Sequence, residues 1–146
     1  MKLVFLLFMA IVSTSAFACP DLSGEFTNEE FGTYYSISQN GCELIEFHYD
    51  EGTISAQIDG IERLESEFEV EVEAGKILAN IKIYISYIFK GSKLLTNQRV
   101  VTTYTSDGKI EEDKSWAETF LNDDTDLVNI YHDDAGTLET VDVRVK

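Results

Sequence analysis

The chain has a single proline, Pro20, two cysteines and few basic residues: 11 lysines and arginines against 27 aspartates and glutamates, a formal net charge of −16. Each shortage excludes something. Proline cannot donate to a β-ladder, and here it lies outside every segment that reads as a strand. The lack of cationic patches argues against nucleic acid or an anionic membrane surface as partner, since both are bound through lysine and arginine. Beyond the N-terminal segment no hydrophobic run reaches spanning length, because Ile77 to Phe89 is interrupted by Asn80, Lys82 and Ser86. Helical periodicity with caps, internal repeats and low-complexity linkers are all missing. So are G-x-S-x-G, H-E-x-x-H and a glycine-rich phosphate loop. The two histidines, His48 and His132, lie far apart in sequence, and no carboxylate pair can be singled out for glycoside hydrolysis. No enzyme and no cofactor is expected.

What is present begins with an export signal. Lys2 is followed by an apolar core, Leu3 to Ile11, and by Ala16-Phe17-Ala18, an A-x-A cleavage site. Residues 1–18 are expected to be removed, leaving 19–146 as one domain of an exported, periplasmic or extracellular protein. Cys19 would then be the first residue. A lipid anchor there is one alternative, but Ala16 and bulky Phe17 stand where that signal usually has an aliphatic and a small residue. The favoured reading is a Cys19–Cys42 disulfide in an oxidising compartment.

The remainder alternates with period two. From Arg63 to Lys90 the pattern is one long hairpin: Leu64, Ser66, Phe68, Val70 and Val72 share a side, and every odd position from Glu65 to Glu73 is glutamate. With Ala74-Gly75 as the turn, Val72 meets Ile77, Val70 meets Ala79, Phe68 meets Ile81 and Leu64 meets Ile85. Outside, Glu73 faces Lys76 and Glu67 faces Lys82. Upstream, Leu22–Thr27 and Phe31–Ser38 are strands. A turn at Gln39-Asn40-Gly41 would set Tyr35 against Ile45 and Thr33 against Phe47, with Ile45, Phe47 and Tyr49 pointing inward. Ile54, Ala56 and Ile58 supply the next inner face. Downstream, Gly91-Ser92 sets Phe89 against Leu94, Ile83 against Val100 and Ala79 against Tyr104. Trp116, Glu118 and Phe120 share one side of the following strand. A last hairpin turns at Asp133–Gly136, with Val141, Val143 and Val145 alternating. The fold class is all-β, an antiparallel up-and-down meander closing into a barrel of 8–10 strands. The alternative is a two-sheet sandwich.

The run Leu22-Ser23-Gly24-Glu25-Phe26-Thr27-Asn28 resembles the opening strand of the calycin barrels, the lipocalins, avidins and fatty-acid-binding proteins. In those families a Gly-x-Trp strand plugs one end of the barrel; here Phe26 stands in the tryptophan's place. Thr125-Asp126 before an apolar strand resembles a second lipocalin motif, and Arg144 on the last strand a third. No counterpart of the lipocalin C-terminal helix or the fatty-acid-binder lid is visible. The resemblance implies a ligand-enclosing barrel and no particular ligand.

Polar residues turned inward by this register are the cavity candidates: Thr96, Gln98, Tyr104, Trp116 and Glu118. A solid core rarely accepts unpaired polar groups, whereas ligand pockets use a few. A bulge flipping the parity after Gly108 would instead send Glu118 to solvent. Asp123, Asp124 and Asp126, and His132, Asp133 and Asp134, form acidic loops, but their spacing matches no dedicated calcium loop and suits ordinary turns; no metal is expected. The expected function is binding of an apolar or amphipathic small molecule inside the barrel. The alternative is a non-catalytic envelope interaction module with a solid core.

Overall fold

The computed structural model describes residues 19–72 and 77–146. The expected export signal, the Ala74-Gly75 turn and the Glu73–Lys76 pair lie outside the described residues. Ten antiparallel strands form one sheet: β1 Gly24–Asn28, β2 Thr33–Asn40, β3 Leu44–Tyr49, β4 Gly52–Gln57, β5 Arg63–Val72, β6 Ile77–Lys90, β7 Lys93–Tyr104, β8 Ile110–Leu121, β9 Leu127–Asp133 and β10 Gly136–Arg144. Their order is β4-β3-β2-β1-β10-β9-β8-β7-β6-β5. Consecutive strands are therefore neighbours everywhere except between β4 and β5, and β1 pairs with β10.

That exception corrects the expected closure. The sheet curls through 318° and stays open, with β4 and β5 as free edges. The connecting segment crosses the opening instead of a ladder: the Gly60 N–H donates to the Tyr87 carbonyl at 2.8 Å. Gly60 sits at φ +73°, and a Cβ there would lie 3.2 Å from Ile88 Cδ1, so glycine suits the crossing on both counts. Arg63, at the start of β5, reaches back across it to Asp59 (2.7 and 2.8 Å) and to Gln57 (2.8 Å).

The local registers follow the sequence in part. In β6–β7, Phe89 faces Leu94, Ile83 faces Val100 and Ala79 faces Tyr104, as Gly91-Ser92 dictates. In β5–β6, Val72, Val70 and Phe68 face Ile77, Ala79 and Ile81, and Lys82 Nζ lies 3.4 Å from Glu67 on the outside. The pairing then slips at Glu65, so Leu64 faces Tyr84 rather than Ile85. An extra residue on one strand bends it and raises its twist, which carries Arg63 toward Asp59.

A second correction concerns β2–β3. Tyr35 faces Tyr49 and Ile37 faces Phe47, and β2 runs on through Asn40. The turn is Gly41-Cys42-Glu43, with Gly41 at φ +57° and the Glu43 N–H returning to the Asn40 carbonyl. The turn thus centres two residues later than expected and each partner is displaced by four, an even shift that leaves every side chain on its expected face. Cys42 occupies this turn, bonded to Cys19 with the Cα atoms 5.5 Å apart.

The concave face holds the core. Leu22, Phe26, Ile37, Ile45, Ala56, Ile58, Leu94 and Leu127 are buried, with Phe47, Tyr87, Phe89 and Leu121 packed against them. At this end Arg144 lies over the Phe26 ring, 4.9 Å from its centroid. Its guanidinium donates to the carbonyls of Ser23 and Thr125, both at 3.0 Å, and its N–H donates to Asp126 at 3.0 Å. A Cβ on Gly24 would meet the guanidinium at 2.3 Å.

Candidate functional site

The opposite end of the concave face is not filled. Phe31, Thr33, Tyr35, Tyr49, Tyr131 and Leu138 surround a pocket of about 400 Å³ whose floor is Asn28, Asn129, Thr140 and Asp142. Ladder pairing assembles it. Asn28 faces Thr33, Tyr35 faces Tyr49, Tyr131 faces Leu138 and Asn129 faces Thr140. The Tyr35 and Tyr49 rings stack at 5.3 Å.

Asp142 is the centre of the floor and only 6% exposed. The last strand does alternate, but its valines face out: Val141, Val143 and Val145 are exposed while Asp142 points in. A buried carboxylate needs donors to replace its water. Asn28 Nδ2 donates to Oδ1 at 2.6 Å, and Oδ2 accepts from the Tyr35 hydroxyl and from Asn129 Nδ2 at 3.1 Å. Asn129 is itself held by the Thr119 hydroxyl at 2.8 Å. Asn28 Oδ1 accepts the N–H groups of Glu30 and Phe31, so one side chain braces both the carboxylate and the β1–β2 turn that carries Phe31. Burial pushes the Tyr35 hydroxyl far above the ordinary tyrosine range, and the hydrogen bond to Asp142 adds to it. Burial likewise raises Tyr49 and Tyr131, with the Asp142 charge contributing to both.

Three of the five sequence candidates, Thr96, Gln98 and Trp116, border one depression, and none of the five lines the tyrosine pocket. Thr96 and Gln98 face the concave side and line this smaller depression, of about 180 Å³, beside Ser115 and Tyr131. Tyr104 lies farther along the same face of β7, its hydroxyl donating to Glu111 at 2.8 Å. Trp116 and Glu118 are opposite Asn97 and Leu95, which puts them on the convex face. This corrects their expected inward position. No bulge is involved; the β7–β8 ladder runs unbroken from Ile110 to Thr119 and simply sets even residues of β8 outward. There Trp116 stacks on His132 with centroids 3.7 Å apart, and Glu118 accepts from Lys93 at 2.6 Å.

The acidic loops perform turn chemistry. Asp133 Oδ1 accepts the N–H groups of Ala135 and Gly136, and Asp126 accepts that of Arg144. Among the described residues no three of His, Cys, Asp and Glu gather as a metal site, and no helix is long and apolar enough to cross a membrane.

Asp142, Asn28 and Asn129 escaped the sequence reading, whereas Tyr35 and Tyr49 were placed on the inner face. Family models, curated proteins and solved structures give no match to this chain.

Proposed function

We propose that this is an exported, calycin-like half-barrel that binds an amphipathic small molecule in the tyrosine-lined pocket. One observation carries the reading: an apolar rim of Phe31, Tyr49, Tyr131 and Leu138 stands over a fixed polar floor in a cavity of about 400 Å³. Apolar walls with a few placed polar groups are the usual composition of a small-molecule site. Asn28, Asn129 and Asp142 are hydrogen-bonded into one fixed group, and the reading is of a binding protein rather than an enzyme. The three segments that carry the calycin resemblance also meet at one end, where Arg144 joins Phe26, Ser23, Thr125 and Asp126. The Cys19–Cys42 bond fits an oxidising compartment.

A second reading, an envelope interaction module, draws on the solid packing around Phe26 and on the row of exposed valines on β10. Titration with a solvatochromic hydrophobic dye separates the two. Saturable uptake that falls at least roughly tenfold in Tyr131→Ala is expected for the pocket. Dye uptake that ignores Tyr131→Ala, or no uptake at all, favours the module.

A further inference from the structure

Asp142 is a buried carboxylate that no cation pairs with among the described residues. The ion pairs among the described residues involve other acids. Arg144, two residues on, sends its guanidinium to Ser23, Thr125 and Phe26 at the far end. Three neutral donors hold Asp142, two on Oδ2 and one on Oδ1. Each carboxylate oxygen accepts two hydrogen bonds, so among the described residues Oδ1 keeps one position unfilled. Neutral donors satisfy the lone pairs of a buried carboxylate without cancelling its charge, and an opposite charge beside it is strongly favoured in a low dielectric.

The walls suit the same partner. Tyr35, Tyr49, Tyr131 and Phe31 are four aromatic rings around one cavity, and ring faces attract organic cations. The whole chain carries a net charge of −16, a field that draws cations in and repels anions.

We infer that the pocket takes an organic ammonium ion, its N–H donated to Asp142 and its apolar body held among the tyrosines and Leu138. The inference rests on the pocket reading above and narrows it to one charge class.

Three probes of similar size and different charge test it by calorimetry on protein purified from expression of the full chain: phenethylamine, 2-phenylethanol and 3-phenylpropanoate. Phenethylamine should bind saturably and at least roughly tenfold tighter than the alcohol, as one charge-assisted hydrogen bond and one cation–π contact would give. The propanoate should not bind measurably. Asp142→Asn should abolish the preference for amine over alcohol. Tyr131→Ala, on the half-exposed rim away from the hydrogen bonds to Asp142, should weaken amine binding with an unchanged circular dichroism spectrum. If Asp142→Asn does not fold, the charge series on the parent and Tyr131→Ala still decide. An alcohol that binds as tightly as the amine, or a propanoate that binds tighter, overturns the ammonium assignment while the pocket survives. Failure of all three probes together with the hydrophobic dye overturns the pocket reading itself.

Discussion

Arg144 ties β10 to β1 and to the β8–β9 connection through hydrogen bonds to Ser23, Thr125 and Asp126, and it caps the buried Phe26 ring with its planar head. Lysine could not reproduce this, because the fork geometry serves two carbonyls at once while the flat face lies on the ring. The same head occupies the space in front of Gly24. Arg144→Met is therefore expected to destabilise by about 1–3 kcal/mol, and Gly24→Ala by a comparable amount because it displaces the guanidinium. The two effects share one contact and should not add. In the Arg144→Met background Gly24→Ala should cost clearly less, a coupling measurable by urea unfolding of the four-member cycle. Additive losses would mean that Gly24 is required by its backbone alone.

Among the elements, the β2–β3 turn shows why a strand's faces can be read more easily than its register. Alternation put Tyr35, Ile45, Phe47 and Tyr49 inside, and they are inside; where the turn falls depends on Cys42, which is tethered to Cys19 from outside the hairpin. That bond closes a separation of 23 residues and holds the segment before β1 against the turn. Cys19→Ser with Cys42→Ser is expected to lower stability by about 3 kcal/mol in the chain-entropy picture, seen as a lower urea midpoint. An unchanged midpoint would show that the hydrogen bond from Leu22 N to Gln39 Oε1 already fixes that segment. The β6–β7 register was legible because Gly91-Ser92 sets it locally. The slip at Glu65 was not, since the Asp59 and Gln57 partners of the neighbouring Arg63 are reached across the opening rather than along the ladder. Trp116 and Glu118 failed for a related reason. Parity along β8 is set by pairing with β7 and β9, and an amphipathic strand with apolar residues on both faces does not reveal its orientation.

At the scale of the whole molecule, the pocket collects side chains from β1, β2, β3, β9 and β10, so Asp142 becomes meaningful only once β10 has paired with β1 and β9 and brought Asn28 and Asn129 to it. The curl also leaves two strands unpaired on one side, and a long free edge invites another strand. The β5 edge carries exposed glutamates at positions 65, 67, 69 and 71. A second β5 laid alongside in register would set its own glutamate row beside the first, and like charges on neighbouring strands repel. Phe68, 44% exposed on the other face, would gain cover from the same pairing. The glutamates are therefore what opposes association along this edge. Glu67 also binds Lys82 and Asn80, so the clean test replaces the others: Glu65→Gln, Glu69→Gln and Glu71→Gln together. The triple variant should keep the fold, since these side chains are exposed, yet form dimers and larger species at concentrations where the parent does not. Sedimentation velocity across a concentration series reads this directly. If the variant and the parent sediment alike throughout, the charge row is not what guards the edge, and the twist introduced at Glu65 would have to be sufficient alone.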